Sequence, residues 1–457
     1  MAGSAAALRC AEEGLDTICC EVQTWEEYDN YACDLTTYNS KFFLDKGAEK
    51  YDPMDIFTEY MVKALGHANQ KIVKDYATRS GEALDWMLAE LDPDYVAKYA
   101  HAVNYKGNKH FQNPCSHSYY YVGMTQWRDT GTETNTNNNM WPYTVRLLQQ
   151  KAVEKGCEYI YGAQGLTLVH DNGKVTGAIF TDIDGKYFQV NADAVIVAAG
   201  DFGGNPDMRL DLCDTLRNLA WSYGKDRTDV NNVSSVGRDG SGIRMMMWAG
   251  ATMEAGPRAG QAAGINSRPS FPFGGNPSGG LCQHAAVCTD GEYRVLTGAK
   301  APIPGLYAVG NCCGQRYGIQ YHTPTAGNSC GSAFVTGYLA AEYVKNDLDN
   351  GIGGENSAEE RTTNGKYYAG TYTSSKNSSY STVTVTMTFS EDAITDCKIT
   401  SSGNEDLMKD DLRSSMAAAV VESQGDTSVD AIPSSTLSFS VKAVQEAVAD
   451  CIAQAKA

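Results

Sequence analysis

The chain has 457 residues, which is enough for two or three domains, and its 42% hydrophobic and 20% charged content is typical of a globular protein. Its net charge of -18 argues against a nucleic-acid partner, because phosphate binding needs clustered Lys and Arg side chains. No apolar run reaches the ~20 residues of a membrane span, so any membrane association would run through a partner.

Fourteen cysteines occur without a C-x-x-C pair, and the seven histidines show no ligand spacing. Zinc sites use such spacings, so the pattern predicts no structural metal. It favours buried free thiols in a reducing compartment. The chain as given suggests the cytoplasm, with the cell envelope as the alternative if an export signal stands upstream.

The first 21 residues predict a helix followed by a buried strand. Gly3 and the small residues after it open a helical run to Glu13, and residues 15–20 form a strand that ends at Glu21. This is the second half of a dinucleotide-binding βαβ unit, in which a glycine lets the helix approach the sheet and an acidic residue binds a ribose hydroxyl. The first strand and first two glycines of such a unit are expected before Met1.

Regular elements continue along the chain. Residues 55–91 and 145–155 predict helices, with an irregular Tyr-, His- and Asn-rich stretch between them. Alternating segments from 158 to 193, separated by Asn-Gly and Asp-Gly turns, predict an antiparallel meander. A buried strand at 194–197 then leads to Ala199-Gly200, where small residues let the backbone approach a flat cofactor.

Three glycine-rich segments carry the strongest signals, at residues 194–208, 235–251 and 301–344. The last supplies a strand, Gly310, an irregular loop and a helix that is opened by Gly327-Asn328-Ser329. Helix N-termini offer free N–H groups and a partial positive charge. Such an end suits the anionic edge of a reduced flavin.

The C-terminal part of the chain differs in composition and in hydrophobic pattern from the rest. A Gly-, Glu- and Thr-rich run at 349–366 has nothing to bury and predicts a linker. Beyond it, residues 381–389 alternate Thr with apolar residues as in a strand, and residues 437–455 predict a last helix. We expect a separate small α+β domain here.

In this order, the segments resemble the fumarate reductase/succinate dehydrogenase-type FAD flavoproteins, a group that includes urocanate reductases and 3-ketosteroid dehydrogenases. The resemblance covers most of residues 1–345. It implies an α/β fold with a Rossmann-like FAD-binding domain whose first strand is missing. The residues at the places of the family's cofactor-binding motifs are Gly3, Glu21, Ala199, Gly200, Gly310, Asn311, Asn328 and Ser329.

The chain also departs from the family pattern. Asn311 replaces the Glu that often follows the glycine of L-Y-A-x-G, and Tyr317 stands where fumarate-type members have His. The stretch between Gly250 and Pro302 is too short to hold the family's capping domain. We therefore expect a reduced cap at about 206–300, in a chain that resembles a truncated family member.

The loop between Gly310 and Gly327 supplies the candidate catalytic residues. Arg316 would bind a substrate anion or carbonyl through a two-point hydrogen bond. Tyr317, or alternatively Tyr321, would exchange the proton that accompanies hydride transfer, and Tyr317 is favoured. The alternative is that these side chains only bond to backbone groups of the loop.

The last segment resembles the small FMN-binding domain of many such reductases. Thr436 matches the threonine that is esterified to FMN phosphate, although Pro433-Ser434-Ser435 replaces the family's Ser-Gly-Ala. The alternatives are non-covalent flavin binding or a vestigial domain. The implied domains are FAD-binding at 1–345, a linker at 346–363 and FMN-binding at 364–457.

The resemblance implies an oxidoreductase that contains FAD and FMN. Electrons from a cytochrome or another redox donor would enter through FMN, pass to FAD and leave as a hydride to an activated C=C bond of a small-molecule substrate. One alternative is a ketosteroid-type dehydrogenase that oxidises a cyclic ketone. Another is a non-catalytic remnant that only binds flavin.

Overall fold

The computed structural model describes most of the chain. The described residues are 1–30, 34–103, 105–106, 123–130, 138–171, 173–212, 238–256, 258, 260–261, 282–319, 321, 323–325, 327–351, 365–377, 381–403, 409–425 and 438–456. They form two compact units, Met1–Ser357 and Ala358–Ala457.

Eleven α-helices lie within the described residues. They are α1 (Ala2–Glu12), α2 (Lys41–Leu44), α3 (Pro53–Lys63), α4 (Gln70–Glu90), α5 (Pro93–Tyr99), α6 (Trp141–Glu154), α7 (Pro206–Leu212), α8 (Ser241–Trp248), α9 (Asn328–Asn350), α10 (Asp410–Glu422) and α11 (Ser438–Ala455). A short 3-10 turn spans Gly310–Cys312.

The strands of the described residues are mostly short. They are β1 (Ile18–Glu21), β2 (Asp34–Thr36), β3 (Ala100–Val103), β4 (Met124–Asp129), β5 (Asn138–Asn139), β6 (Glu158–Tyr161), β7 (Gln164–Asp171), β8 (Lys174–Thr181), β9 (Tyr187–Asn191), β10 (Val195–Val197), β11 (Gly260–Gln261), β12 (Cys282–Gln283), β13 (Arg294–Leu296), β14 (Pro302–Ala308), β15 (Gly370–Asn377), β16 (Ser381–Phe389) and β17 (Ile394–Gly403).

Two parallel strand pairs define the α/β part of the first unit. β1 pairs with β6, β10 pairs with β14, and β13 adds to β14 in the antiparallel direction. α1 packs against α6 and α9 and also contacts β1 and β10. The helix and strand predicted for the first 21 residues are therefore confirmed, and so is the helix that begins at Asn328. The strand is not buried as predicted, because Ile18 is 43% exposed and the other three residues are half-buried.

Close helix packing explains the run of small residues in α1. Its buried face carries mostly alanines together with Leu8. A Cβ atom added to Gly337 of α9 would lie only 2.1 Å from the Ala2 carbonyl oxygen. Small side chains on both helices therefore let the two backbones approach each other.

The antiparallel meander predicted at 158–193 is confirmed for β7–β8–β9, but the first segment of that run, β6, pairs in parallel with β1 instead. The helical region predicted over 55–91 is confirmed, and it consists of two helices, because the chain breaks between α3 and α4. Gly66 adopts φ +74° there, and the Asn69 side chain caps α4 by accepting hydrogen bonds from the N–H groups of Lys71 and Ile72. The stretch predicted as irregular contains β3 and β4, which pair with each other, and β4 also pairs with β2.

The second unit is a three-stranded antiparallel meander with two helices. β16 lies between β15 and β17, and α10 and α11 contact this sheet. Val383, Val385 and Met387 of β16 are buried, while Thr384 and Thr386 pair with hydroxyl groups of β15. The strand predicted at 381–389 and the last helix are confirmed.

No helix among the described residues is long and apolar enough to cross a membrane. In the same part of the chain, no three His, Cys, Asp or Glu side chains come together as a metal site would need. The described cysteines are free thiols.

Candidate functional site

A cavity of about 1300 Å³ lies in the first unit. It is larger than the ~300–1,000 Å³ of most small-molecule sites, as a long ligand requires. The N-terminal end of α1, strands β1 and β10, and the start of α9 all contribute to its wall. Eight residues singled out from the sequence line it together: Gly3, Glu21, Ala199, Gly200, Gly310, Asn311, Tyr321 and Ser329.

Other predicted residues lie elsewhere. Arg316, Tyr317 and Asn328 are buried and are not among the described residues that line the cavity. Thr436 lies outside the described residues. The expected cap at about 206–300 lies partly outside them as well, because residues 213–237 and 262–281 are not described.

The α1 end of the cavity is built by close packing. A Cβ atom on Gly3 would meet the Ala198 side chain at 3.0 Å, so a glycine lets α1 lie against the chain that follows β10. Glu21 ends β1, and its carboxylate accepts a hydrogen bond of 3.0 Å from the Gln23 N–H. A helix N-terminus and a carboxylate thus share one cavity wall, the pair that a dinucleotide site needs.

Two glycines turn the backbone along the same wall. Gly200 adopts φ +81° and Gly310 adopts φ +61°, a conformation that side chains disfavour. A Cβ atom on Gly310 would also lie 2.9 Å from the Ala2 side chain. Gly310 therefore also lets the chain after β14 lie against α1.

Tyr321 joins the cavity to the start of α9. Gly327, with φ +74°, precedes the helix, and the Ser329 N–H donates a hydrogen bond of 2.9 Å to the Tyr321 hydroxyl oxygen. A helix N-terminus carries a partial positive charge, which favours negative charge on that oxygen. Tyr321 therefore lines the cavity while its hydroxyl oxygen is held by the first turn of α9.

Tyr317 lies in a hydrogen-bond chain with a fixed direction. The Arg316 guanidinium donates to the Ser332 hydroxyl at 2.8 Å, Ser332 shares a hydrogen bond with the Tyr317 hydroxyl, and Tyr317 donates to the Asn328 carbonyl at 3.0 Å. A guanidinium only donates and a carbonyl only accepts, so Ser332 must donate to Tyr317. The Tyr317 proton is thus directed at the backbone of α9.

Arg316 is also engaged on its other side. It donates to the Asn311 amide oxygen at 2.5 Å and to the Cys313 carbonyl at 3.1 Å. The Asn311 amide in turn donates to Asp201, which is fully buried and pairs with Arg238 at 3.2 Å. The contact of Arg316 with a substrate anion stays a prediction, because the bonds seen here are to protein groups.

An aromatic layer supports the two tyrosines. The His284 ring stacks on Tyr321 with centroids 4.5 Å apart and lies 4.6 Å from the Tyr317 ring. Tyr60 stacks on Tyr317 from another element at 6.1 Å. Such buried rings restrict the directions that the tyrosine hydroxyl groups can take.

The sequence analysis missed Asp201 and Ser332. Asp201 gives a signal, because it is an acidic residue inside the small and apolar run AVIVAAGDFGG. Ser332 gives none, because a serine in the first turns of a helix is common and only the fold places it beside Tyr317 and Arg316.

Comparison with known proteins identifies the family. The family model described as "FAD binding domain" matches residues 1–261, which is more than half of the chain. The chain therefore belongs to this family, and it is a flavoprotein oxidoreductase of the FAD-binding type. The predicted FAD flavoprotein class is confirmed at this level.

A curated relative matches a short stretch. The 4-oxocyclohexanecarboxylate 2-dehydrogenase of Sinomonas cyclohexanicum is 35% identical over 85 residues, which are 18% of this chain and 14% of that protein. The match therefore spans only a small part of that relative's length.

Solved structures share the fold. The open conformation of a flavocytochrome c3 fumarate reductase has a TM-score of 0.53 at 14% identity, over 75% of this chain and 76% of that one. A 3-ketosteroid-delta4-(5alpha)-dehydrogenase from Rhodococcus jostii RHA1 has a TM-score of 0.51 at 16% identity, over 75% and 95%. A 3-ketosteroid delta1-dehydrogenase from Sterolibacterium denitrificans has a TM-score of 0.52 at 13% identity, over 76% of this chain and 98% of that one. The predicted α/β fold with an FAD-binding domain is confirmed to this extent.

Proposed function

We propose that this flavoprotein reduces an activated C=C bond of a small molecule, with FAD bound in the cavity. One observation carries the proposal. The same cavity is lined by the predicted nucleotide-binding residues Gly3 and Glu21 and by Tyr321, a hydroxyl group suited to proton exchange. Reduction of an activated C=C bond adds a hydride to one carbon and a proton to the other. The site must therefore hold both a flavin and a proton donor next to the substrate.

The residues present fit FAD. The volume of the cavity, the glycines with positive φ in its wall and the two helix N-termini that open at it all suit a long anionic ligand. The N–H groups at the start of α1 would hold the pyrophosphate, and Glu21 would accept ribose hydroxyls. Gly200, Gly310 and Asn311 would line the flavin half, with Ser329 at the start of α9. Bound FAD supplies the hydride chemistry.

Tyr321 is our candidate for the group that holds and releases the proton. Its oxygen accepts the Ser329 N–H, which stabilises the charge left when the proton departs. Tyr317 then packs against His284 and Tyr321 and holds these rings in place. This assignment reverses the sequence-based preference for Tyr317 as the proton-exchanging group. Arg316 acts by orienting Asn311 and Ser332.

The experiment is a reoxidation assay. The FAD-loaded chain is reduced with dithionite without oxygen and mixed with fumarate, urocanate or a cyclic enone, and flavin absorbance is followed. At least one acceptor should return the oxidised flavin spectrum and yield the saturated product. If every acceptor reoxidises the flavin no faster than buffer, the proposed reaction is wrong.

A second candidate is oxidation of a cyclic ketone. It is favoured by the 35% identity over 85 residues to a 4-oxocyclohexanecarboxylate 2-dehydrogenase. The oxidised protein would then be bleached by a cyclic ketone and reoxidised by an artificial electron acceptor. Bleaching by the ketone without reoxidation by any alkene would select this direction.

We also propose that the second unit binds FMN and passes electrons from a redox donor such as a cytochrome to FAD. The support is the sequence around Thr436 and the position of α11, which begins at Ser438, two residues further on. A phosphate esterified to Thr436 would stand next to a helix N-terminus, where anions are stabilised.

A further inference from the structure

A positively charged side chain lies in the cavity wall. Arg238 is the only arginine or lysine among the described residues that line the cavity, and its guanidinium pairs with the Asp201 carboxylate at 3.2 Å. The Arg238 side chain is 19% exposed, whereas Asp201 is fully buried and is not among the described lining residues. The cation therefore faces the cavity, and its counterion lies behind it in the protein.

Arg238 is fixed through both its backbone and its side chain. Its carbonyl accepts a hydrogen bond of 2.8 Å from the Gly204 N–H, and its guanidinium bonds to Asp201. The Asp201 carboxylate is held in turn by the Gly203 N–H at 2.7 Å. Both ends of Arg238 are thus tied to the turn at 201–204, so the side chain has little conformational freedom to lose when a ligand binds.

The Arg238 side chain lies close to the start of α1. A Cβ atom on Gly3 would meet the Ala198 side chain at 3.0 Å, and a Cβ atom on Gly200 would meet Cγ of Arg238 at 3.6 Å. Ala198 and Gly200 are two residues apart along the chain, which is at most about 7 Å. A short piece of backbone therefore separates the first turn of α1 from Arg238.

A second path of contacts leads from α1 to the same ion pair. A Cβ atom on Gly310 would lie 2.9 Å from the Ala2 side chain, and the next residue, Asn311, donates to the Asp201 carboxylate at 3.3 Å. The N–H groups of the first turn of α1 and the Arg238 guanidinium thus belong to one region of the cavity wall. Both attract negative charge, the helix end through partial charges and the guanidinium through a full charge.

We propose that Arg238 binds a phosphate of the diphosphate group of FAD beside the N–H groups of α1, so that cofactor affinity depends on a side-chain charge. A guanidinium carries five N–H donors in a planar fork, and it can contact a phosphate oxygen and a carboxylate at the same time. Asp201 balances the cation before the ligand binds, because a buried charge without a partner is costly. This inference rests on the FAD site of the proposed function and not on the reaction.

Acidic side chains make other parts of the wall unfavourable for a diphosphate. Glu21, Asp34 and Asp239 line the same cavity and repel phosphate oxygens. Asp239 directly follows Arg238, but it pairs with Arg244 at 3.5 Å. The place beside Arg238 and the N-terminus of α1 is therefore the one that suits the diphosphate best.

The test measures binding to the flavin-free full chain by isothermal titration calorimetry, with FAD and ADP as probes. ADP carries the diphosphate without the flavin. In Arg238→Gln the affinity for both probes should fall about 10–100-fold, the usual contribution of a charged hydrogen-bond donor. Arg244→Gln is the matched control, because it removes the same charge from a neighbouring position outside the described cavity wall. It should bind both probes as the wild type does.

A charge-conserving variant separates the cation from a purely structural role. Arg238→Lys should recover most of the affinity, and added salt should weaken FAD binding more in the wild type than in Arg238→Gln. Should Arg238→Gln fail to fold because Asp201 is left buried without its cation, the double variant Asp201→Asn/Arg238→Gln is compared with Asp201→Asn alone. The double variant should then bind both probes about 10–100-fold more weakly.

Three results would overturn the proposal. In the first, Arg238→Gln binds both probes as tightly as the wild type. In the second, it loses affinity for FAD but not for ADP, which would assign the cation to the flavin. In the third, it keeps its FAD affinity and raises the KM of a carboxylate acceptor, which would make Arg238 a substrate-binding residue. A chain that binds FAD but reduces no acceptor would refute the proposed reaction and leave this inference intact.

Discussion

Tyr321 and Tyr317 differ in where their hydroxyl groups lie. Both side chains are buried, but Tyr321 is among the residues that line the cavity and its hydroxyl accepts the Ser329 N–H, whereas the Tyr317 hydroxyl bonds to Ser332 and the Asn328 carbonyl. Removal of the first hydroxyl removes the group that we propose exchanges a proton with the ligand. Removal of the second leaves a gap in a buried network.

We expect Tyr321→Phe to lower turnover by ~10²–10⁴, the usual contribution of general acid–base catalysis, and to leave FAD content unchanged. Tyr317→Phe is the matched control, because it deletes the same atom from the neighbouring ring. It should lower stability by about 1–3 kcal/mol by leaving Ser332 without its acceptor, with a smaller loss of turnover. Steady-state rates measure turnover, and flavin absorbance measures FAD content. If Tyr317→Phe loses more turnover than Tyr321→Phe, Tyr317 and not Tyr321 is the proton-exchanging group.

We expect the Arg316 guanidinium to contribute to the stability of the first unit. It is 2% exposed and donates to Ser332, Asn311 and the Cys313 carbonyl, so Arg316→Met leaves two buried acceptors and the half-buried Asn311 without that donor. We expect a loss of ~2–4 kcal/mol. The control Arg79→Met removes an arginine whose ion pairs with Glu82 and Glu342 are more exposed, and it should cost ~1 kcal/mol or less.

Urea denaturation followed by tryptophan fluorescence measures both changes. All six tryptophans precede residue 250, so the signal reports on the first unit alone. Equal losses in the two arginine variants would contradict the buried role of Arg316. Full stability with lost substrate affinity in Arg316→Met would support the anion contact expected from the sequence.

The site shows at the residue scale what a sequence can and cannot predict. The sequence motif was enough to predict that Gly3, Glu21 and Gly310 lie together, and all three line the cavity. The sequence could not predict that Tyr321 lines the cavity and Tyr317 does not, because both lie in one loop and only the fold decides where each ring points. Ser332 became visible only through its partners.

At the scale of elements, the contact between α1 and α9 predicts an unusual response to alanine. Alanine normally stabilises a helix interior by ~1 kcal/mol relative to glycine. In Gly337→Ala, however, the new Cβ atom would lie 2.1 Å from the Ala2 carbonyl oxygen, so the helices must separate. We expect a net loss of about 1–3 kcal/mol by overpacking, measured by the same urea experiment.

Gly298 provides the matched control. A Cβ atom there would have no neighbour within 4 Å, and its φ lies outside the left-handed range. Gly298→Ala should therefore be neutral or slightly stabilising. If Gly337→Ala were as stable as Gly298→Ala, α1 and α9 would not pack as closely as described.

Local patterns predicted elements better than their pairing. The helix near 145–155, the meander and the strand at 381–389 follow from period and turn residues alone. The sheet β2–β4–β3 was missed, because its strands come from distant segments and gain their order by pairing with each other. The break between α3 and α4 depends on one cap at Asn69 that lies within an otherwise helical pattern.

At the scale of the whole molecule, the two compact units suggest a division of labour. The first unit contains the match to the FAD-binding family, which ends at residue 261, and the described cavity. The second unit, Ala358–Ala457, has its own buried core of β16, β17, α10 and α11. A small domain with a separate core suits a tethered electron carrier, as the sequence resemblance implies.

Covalent FMN at Thr436 is the prediction that tests this division. A phosphoester keeps the flavin on a small domain even where the binding site is shallow, and the nearby start of α11 would stabilise the phosphate charge. The chain from its own cells, or co-expressed with a flavin transferase, should carry the mass of FMN minus water on the peptide that contains Thr436. The added mass should vanish in Thr436→Ala and persist in Ser434→Ala and Ser435→Ala, which remove the neighbouring hydroxyls.

Electron transfer from an external donor to FAD should also be lost in Thr436→Ala, while dithionite still reduces FAD directly. An unmodified peptide under these conditions would rule out the covalent link and leave the second unit as a non-covalent flavin binder or a vestigial domain.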